Sequence, residues 1–254
     1  MSLPRIVVVG GHGKVAIHFA KLASNKYNVA SLVRTPNHFA EIEQAGATPK
    51  LLSLEDASEA QLSEAFEGAA GVLFSAGAGG KGGKERTKAV DEIGAIKVFD
   101  AIEAIKGDKP TLVLVGALDT RDMGKPPPSH YTEKDIEDSK KVHEAIGAYY
   151  DAKLAACRDL HKRSSFRWVE LRPGHLTDDE GTGRVKVGKT GMGSVSRKDV
   201  AATIVALFDQ LDLDRSSSDA SNKTQLALDL IQGDEDVDQA VKNALDKGES
   251  DFTD

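Results

Sequence analysis

The stretch Ile6-Val-Val-Val-Gly10-Gly-His-Gly13-Lys-Val-Ala16 decides the fold. A run of apolar residues leads directly into a glycine turn and then into a helical pattern, Val15–Ala23. Glycines allow a tight turn and a close approach of the backbone to a pyrophosphate, and the N-terminus of the next helix offers free N–H groups and a positive dipole end. The stretch therefore predicts a dinucleotide-binding turn. Its cofactor-binding candidates are Gly10, Gly11, His12, Gly13, Lys14 and Val15, although His12 is equally well explained as an exposed loop residue.

Short apolar runs alternate with helical patterns along the rest of the chain. Predicted strands are Ile6–Val9, Asn28–Val33, Lys50–Leu54, Gly71–Phe74, Thr111–Val115, Phe166–Leu171, Arg184–Val187 and Leu226–Ile231. Predicted helices are Val15–Ala23, Phe39–Ala45, Leu62–Phe66, Glu85–Ile105, Glu133–His161, Val200–Phe208 and Val237–Leu245, with Ser196-Arg-Lys-Asp199 resembling a capping box. This alternation is typical of parallel β-α-β units whose strands are covered on both faces.

We therefore predict an α/β fold, a doubly wound parallel sheet in three layers. One Rossmann domain is expected over residues 1–254, with a small substrate-side region within 174–254. Residues 211–223, which are polar and serine-rich, are expected to form a mobile loop, and Gly248–Asp254 to be frayed.

Composition limits the classes of function. The net charge of −7 argues against a general role in binding nucleic acid or membrane surfaces. No apolar run approaches the roughly 20 residues that span a bilayer, and the first ten residues lack the layout of a signal peptide. The only cysteine, Cys157, cannot form an intramolecular disulfide, which fits a reducing compartment. Since neither a spanning segment nor a signal peptide is predicted, the cytoplasm is the expected location.

The end of the second predicted strand bears on the choice of cofactor. An NAD site usually carries Asp or Glu about 20 residues after the glycines, where it binds the ribose hydroxyls. Here the residue is Arg34, which can pair with a 2′-phosphate that an acidic side chain would repel. The sequence therefore favours NADP (NADPH) over NAD. The alternative is a solvated surface arginine.

Several landmarks together resemble the atypical branch of the short-chain dehydrogenase/reductases, which includes NmrA-like and epimerase-like proteins. They are Gly10–Ala16, Ser75–Ala78, Asp91–Gly94, Tyr149–Lys153, Leu171–Gly174 and Ser196–Ala201. The resemblance implies that Ser75, Ala76 and Gly77 lie along the cofactor ribose and that Ser53 and Leu54 lie near the adenine. It also implies that Pro173, Gly174, His175 and Leu176 line the nicotinamide, although Arg172-Pro-Gly174 could simply be a turn after a strand.

Tyr149 and Lys153 are four residues apart, which places them on one face of a helix, whereas Tyr150 would point elsewhere. A phenol has a pKa near 10 and is a poor acid–base catalyst at neutral pH, but a neighbouring ammonium favours the phenolate. The resemblance implies that Tyr149 exchanges a proton with a substrate oxygen and that Lys153 binds the nicotinamide ribose. Asp91, the third catalytic candidate, either holds the lysine network or is a solvated helix residue.

One departure from the family weakens the prediction of an enzyme. Gly116 or Ala117 takes the place of the active-site serine, and neither has a hydroxyl. Thr120 could substitute, although the sequence does not place its side chain.

Two functions follow from these residues. The first is an NADP-dependent oxidoreductase or epimerase-like enzyme acting on a small carbonyl or alcohol. The alternative is a non-enzymatic NADP(H)-binding redox sensor that signals through a protein partner. No metal site is expected, since the seven histidines show no paired ligand spacing beyond chance and the acidic run Asp178–Glu180 is typical of a solvated loop.

Overall fold

The computed structural model describes residues 2–80, 82–211 and 224–248. Its strands are β1 (Arg5–Val9), β2 (Asn28–Val33), β3 (Thr48–Leu51), β4 (Gly71–Phe74), β5 (Thr111–Val115), β6 (Trp168–Pro173), β7 (His175–Thr177), β8 (Arg184–Gly188), β9 (Ser194–Ser196), β10 (Gln225–Gln232) and β11 (Glu235–Asp236). Its α-helices are α1 (Lys14–Ala23), α2 (Phe39–Gln44), α3 (Glu59–Phe66), α4 (Gly83–Thr87), α5 (Ala95–Glu103), α6 (Glu133–Leu160), α7 (Arg197–Gln210) and α8 (Val237–Lys247). A 3₁₀ turn (Pro36–His38) precedes α2, and a π-helical segment (Lys88–Gly94) joins α4 to α5.

Nine strands form one sheet in the order β11-β8-β10-β6-β5-β4-β1-β2-β3. All pairings from β3 to β10 are parallel, whereas β8 pairs antiparallel with both β10 and β11. The strand order reverses between β1 and β4: β2 and β3 follow on one side of β1, and β5 and β6 follow on the other side of β4. At such a reversal a crevice opens at the carboxyl ends of the two central strands. The short strands β7 and β9 form a separate parallel pair.

Each face of the sheet is covered by its own hydrophobic cluster. One cluster contains Phe19 of α1 and Phe208 of α7, whose rings lie 5.9 Å apart. The other contains Phe66 of α3, Phe99 of α5 and Leu160 of α6, packed with Trp168 of β6. The central strands are apolar on both sides because both sides are buried. This confirms the predicted three-layer, doubly wound fold.

The predicted elements are recovered with local corrections. The third strand was predicted over Lys50–Leu54 but lies at Thr48–Leu51, paired with β2. The prediction followed the apolar Leu51, Leu52 and Leu54, of which Leu52 and Leu54 come after the strand and pack on the α3/α5 face. The predicted helix Glu85–Ile105 is divided into α4, the π-helical segment and α5.

Other differences concern the start of α7 and the two polar segments of the C-terminal part of the chain. Ser196 caps α7 by accepting from the N–H of Asp199, but the Asp199 carboxylate accepts from the N–H groups of Thr182 and Gly183, so the capping box is incomplete.

The predicted mobile loop is described only at Leu211, and of the predicted frayed end only Gly248 is described. Residues 212–223 and 249–254 lie outside the described residues.

Candidate functional site

The glycine turn between β1 and α1 is closely packed on the backbone beneath it. Gly10 has a φ of +80°, and a Cβ there would lie 2.6 Å from the Cα of Ala76. A Cβ on Gly11 would lie 2.4 Å from the Cβ of Ser31. Gly13 is the N-cap residue of α1, and no side chain caps the first N–H groups of this helix. Gly13, Lys14 and Val15 line the larger cavity described below. This backbone cradle fits a pyrophosphate, as the sequence predicts.

Two adjoining cavities flank this turn. The larger, about 1120 Å³, extends from the turn towards α6, and the smaller, about 490 Å³, lies over the ends of β2 and β3. Both are lined by Gly13, Lys14 and the segment Ser75–Gly79, which follows β4. The predicted ribose segment Ser75, Ala76 and Gly77 thus lies where the two cavities meet. Together they form one groove, with the turn near its middle.

The smaller cavity contains the predicted adenosine residues. Ser53 and Leu54 line it in the loop after β3, with Arg34 at the end of β2. Glu55 lies between two guanidinium groups, with its Oε1 3.4 Å from Arg34 Nη1 and 3.3 Å from Arg86 Nη2. An acidic side chain therefore joins two arginines in the cavity where a 2′-phosphate is predicted. This ion-pair group was not predicted from the sequence. Arg86 comes from α4, which is distant in sequence from Arg34, so nothing in the sequence indicated that Glu55 contacts both arginines.

His12 and Lys14 of the turn are engaged in side-chain contacts. His12 Nε2 lies 2.6 Å from Glu41 Oε2, and its ring stacks on that of His38 at 3.6 Å between centroids. Lys14 Nζ lies 2.5 Å from Asp178 Oδ2, which belongs to the acidic run that the sequence predicts to be solvated.

Asp178 links two sides of the groove, because it pairs with both Lys14 and Arg197. Arg197 lies at the start of α7, and its Nη1 is 2.8 Å from Asp178 Oδ1. The hydrogen bond from Lys14 holds the pKa of Asp178 below its ordinary value. Desolvation opposes this shift, and the positive charges of Arg197 and Lys14 add to it. Lys14 and Arg197 both line the larger cavity.

The segment Pro173–Leu176 is only partly directed at the groove. A Cβ on Gly174 would lie 2.3 Å from the carbonyl oxygen of Gly193, so the turn requires glycine. Leu176 lines the larger cavity, whereas Pro173 is buried in β6 and His175 is exposed on β7. Of the four predicted nicotinamide residues, the structure therefore places Leu176 on the cavity wall.

The three predicted catalytic residues meet in the larger cavity. Lys153 Nζ lies 5.6 Å from the centroid of the Tyr149 ring, 3.3 Å from Asp91 Oδ1 and 3.2 Å from the carbonyl oxygen of Val115. Burial opposes the charged ammonium, but Tyr149 and Asp91 outweigh it and raise the pKa of Lys153. Lys153 is thus held as a buried cation beside a half-buried phenol.

Asp91 is buried, not a solvated helix residue. It lies in the π-helical segment Lys88–Gly94, and its Oδ2 accepts from the N–H of Ala78 at 3.0 Å. The widened turn directs the carboxylate both at the loop after β4 and at Lys153. Single π-helical turns are frequent at functional sites, and here the turn positions a charged partner.

Tyr150 points away from this group, as its helical position predicts. It is buried, and its ring stacks on that of His143 at 4.0 Å. The helix is kinked just before the tyrosines, at Ile146, whose φ and ψ are −133° and 36°. The kink lies on the wall of the larger cavity.

The position of the family serine is filled from the neighbouring strand. A Cβ on Gly116 would lie 2.7 Å from Glu170 Oε1 and 3.1 Å from Arg172 Cγ. Thr120 does not replace the serine, because its buried hydroxyl donates to the carbonyl oxygen of Ala117 at 2.7 Å. Glycine at position 116 is therefore the residue that leaves room for a buried carboxylate.

Glu170 is surrounded by polar groups from the C-terminal end of α6 and from its own strand. Cys157 Sγ donates to Glu170 Oε2 at 2.8 Å, and His161 Nε2 lies 3.5 Å from the same oxygen. Burial opposes ionisation, but His161, Arg172 and Cys157 outweigh it and lower the pKa of Glu170. This group was not predicted from the sequence, because Glu170 is the only charged residue in an apolar run, Trp168–Leu171, that reads as an ordinary buried strand.

A second buried polar group braces α6 on its other side. Asp119 Oδ1 accepts from Arg121 Nε at 2.7 Å, and its Oδ2 accepts from His143 Nε2 at 3.1 Å. Arg121 also donates to Ser139 Oγ at 2.9 Å. These contacts fasten the loop after β5 to the first half of α6, before the kink.

None of the helices within the described ranges combines the length and the apolar character that crossing a bilayer requires.

Comparison with known proteins identifies the family. Residues 10–211 match the family model described as NAD(P)H-binding. The UPF0659 protein C216.03 of Schizosaccharomyces pombe is 39% identical over 251 residues, covering 97% of each chain. The uncharacterized sugar epimerase YhfK of Bacillus subtilis is 30% identical over 241 residues, covering 94% of this chain and 99% of that one.

A solved structure gives the same result. The structure of a Bacillus halodurans protein, whose name describes it as an NAD-dependent epimerase/dehydratase, is similar to this one, with a TM-score of 0.74. The two chains are 27% identical, and the match covers 94% of this chain and 99% of that one. The predicted resemblance is confirmed at the level of the cofactor-binding family, and the glycine turn lies within the matched residues. The chain belongs to the NAD(P)H-binding family and shares its Rossmann fold with the epimerase/dehydratase-like protein of Bacillus halodurans.

Proposed function

We propose that this protein is an NADP-dependent oxidoreductase or epimerase-like enzyme that acts on a small carbonyl or alcohol. The observation that carries the proposal is the convergence of Tyr149, Lys153 and Asp91 in the cavity that also contains the glycine turn. A nucleotide bound at that turn would extend along Ser75–Gly77 towards the tyrosine. The names of the bacterial relatives, an epimerase and an epimerase/dehydratase, support this class of reaction.

The cofactor-binding residues fit a dinucleotide, because the cradle at Gly10 and Gly11 has no room for a Cβ and the start of α1 carries no side-chain cap. A bound nicotinamide would supply the acceptor or donor of a hydride. The protein's own part is proton transfer and positioning. Tyr149 exchanges a proton with the substrate oxygen, and the buried ammonium of Lys153 stabilises negative charge on the phenol as it forms.

Asp91 acts through Lys153. Its Oδ1 faces the ammonium at 3.3 Å, while its Oδ2 is fixed by the N–H of Ala78. The aspartate thereby keeps the lysine charged and in place beneath the tyrosine. We therefore regard Asp91 as a positioning residue.

The preference for NADP rests on the smaller cavity. Arg34 and Arg86 approach from different elements and share Glu55. A 2′-phosphate carries more negative charge than Glu55 and offers oxygens to both guanidinium groups, so it can displace the carboxylate. NAD, which lacks this phosphate, gains nothing from the arginines.

Arg34→Ala should weaken NADPH binding by about 10–150-fold, the equivalent of one charge-assisted hydrogen bond of roughly 1.5–3 kcal/mol, and leave NADH binding nearly unchanged. Arg86→Ala should have an effect of the same kind. Glu55→Gln is the matched variant and should tighten NADPH binding, because it removes a competing anion. Dissociation constants from fluorescence titration measure all three. Tighter binding of NADH than of NADPH by the unmodified protein would contradict the assignment.

The activity itself is tested by following NADPH oxidation across a panel of small aldehydes and ketones, and NADP reduction across the matching alcohols. We expect turnover with at least one member. Binding of NADPH without turnover, together with cofactor-dependent capture of a protein partner, would instead favour the redox sensor. None of the relatives reported above is named as a sensor, and no contact in the described structure favours that alternative.

A further inference from the structure

We propose that Cys157, His161 and Glu170 form a metal-binding site of the zinc type, buried between α6 and β6 and separate from the cofactor groove. The site does not depend on the proposed function. It is carried by the convergence of three different ligand types around one point.

The donor atoms are close together. Cys157 Sγ, His161 Nε2 and one carboxylate oxygen of Glu170 all lie within 4.8 Å of one another. Glu170 Oε2 is 2.8 Å from the sulfur and 3.5 Å from the imidazole nitrogen. The described residues contain one group of three or more Cys, His, Asp and Glu side chains with donor atoms this close together. Cys157, His161 and Glu170 form that group.

The fold brings these ligands together from two elements. Cys157 lies in the last turn of α6, and His161 is the C-cap residue of that helix, with helical backbone angles (φ −66°, ψ −14°). The four-residue spacing therefore places both side chains on one face, one turn apart. Glu170 faces them from β6, which pairs with β5. Cys157 and Glu170 are buried, while the side chain of His161 is 18% exposed and gives an ion a way in.

The spacing suits a four-coordinate ion after a small adjustment. Zinc binds sulfur at about 2.3 Å and nitrogen or oxygen at about 2.0–2.2 Å, which sets tetrahedral ligand atoms about 3.3–3.6 Å apart. The histidine–carboxylate distance already has this value, and the sulfur–carboxylate pair must open by less than about 1 Å. The sulfur and the imidazole nitrogen lie within 4.8 Å of each other and must close by no more than about 1.3 Å. Gly116 leaves the carboxylate space, since Glu170 Oε1 occupies the volume that a Cβ would fill.

The chemistry of the donors selects the metal. A thiolate is a soft ligand that disfavours Mg²⁺ and Ca²⁺, whereas sulfur, imidazole and carboxylate together suit Zn²⁺. Binding would release the thiol proton, and the thiolate and carboxylate would then neutralise the dication. A water completes the four ligands on the side where His161 reaches the surface. The Trp168 ring, 4.6 Å from the imidazole, packs against this ligand.

The consequence lies in the position of the site on α6. Lys153, Cys157 and His161 are separated by four residues each, so the metal would fasten to β6 the same helix face that carries the lysine. Metal occupancy would thus hold the second half of α6 on the sheet below its kink.

The test is a titration of tag-free, full-length protein with Co²⁺, followed by absorbance. Because Cys157 is the only cysteine in the chain, a thiolate-to-cobalt charge-transfer band can arise from no other residue. We expect the band to saturate at one Co²⁺ per chain and to disappear on addition of Zn²⁺. Cys157→Ser should abolish the band. His161→Ala should lower zinc affinity, measured by chelator competition, by more than about 100-fold, because loss of a supporting partner alone costs 10–100-fold.

His18→Ala, which removes a half-buried histidine from α1, is the control and should leave the band and the zinc affinity unchanged. Absence of a cobalt band in the unmodified protein would overturn the proposal, and so would equal zinc affinity of that protein and His161→Ala. Should Cys157→Ser fail to fold, the spectrum of the unmodified protein and the His161→Ala affinity still decide. NADPH affinity measured on the same samples separates this outcome from failure of the proposed function.

Discussion

Tyr149→Phe should lower kcat for any carbonyl substrate by about 10²–10⁴-fold, the range that one positioned acid–base group contributes. The substitution removes a single hydroxyl and keeps the ring against which the Lys153 ammonium lies, at 5.6 Å from the centroid. The glycine turn and the two arginines of the smaller cavity are untouched. NADPH affinity should therefore stay nearly unchanged, and steady-state kinetics combined with a binding titration measure both quantities.

Tyr150→Phe is the matched control, because it removes the same hydroxyl one residue further along the same helix. Its ring stacks on His143, away from the cavity that contains Lys153, so kcat should be retained. Full activity of Tyr149→Phe would remove the proposed role of this tyrosine. Substitution of Lys153 is less informative, because it would leave the buried Asp91 carboxylate without its cation and so perturb folding.

The position of the candidate cofactor groove was predictable from local sequence. Gly10, Gly11 and Gly13 lie in one turn, and both the strand before it and the helix after it have clear apolar patterns. The position of Arg34 in the smaller cavity was predictable for the same reason, since it follows directly on the second strand. In these cases the residues that act together are close in sequence, or occupy positions that the fold class itself defines.

The arrangement of the proposed catalytic residues was predictable only in part. The four-residue spacing placed Tyr149 and Lys153 together, but nothing in the sequence indicated that Asp91 lies in a π-helical turn directed at the lysine. Glu170 and Gly116 were harder still. One is a single charge in an apolar strand, and the other looked like a loss of the family serine. Only the pairing of β5 with β6 shows that the missing side chain makes room for the carboxylate.

The buried ion pair of Asp119 and Arg121 was also not predictable from the sequence, because a loop rich in polar residues is expected to be solvated. Both side chains are buried, and Asp119 adopts a left-handed conformation with a φ of 64°. Asparagine tolerates that conformation almost as well as aspartate, so Asp119→Asn removes the charge with little backbone strain. The Arg121 guanidinium is then left buried without its counter-ion.

We expect Asp119→Asn to lower the free energy of unfolding by about 3 kcal/mol at neutral pH, the low end of the range for breaking a buried ion pair, since the amide keeps part of the hydrogen bonding. Burial opposes ionisation of Asp119, but hydrogen bonds from His143, Ser139 and Arg121 outweigh it and hold its pKa below the ordinary value. The stabilisation is therefore complete above the unfolded-state pKa of about 3.9 and is lost as pH falls through the lower native value. Urea unfolding of both proteins across the acid range measures this. A difference that stays constant, or grows, as the pH falls would contradict the assignment, because a protonated Asp119 should pair with Arg121 no better than asparagine does.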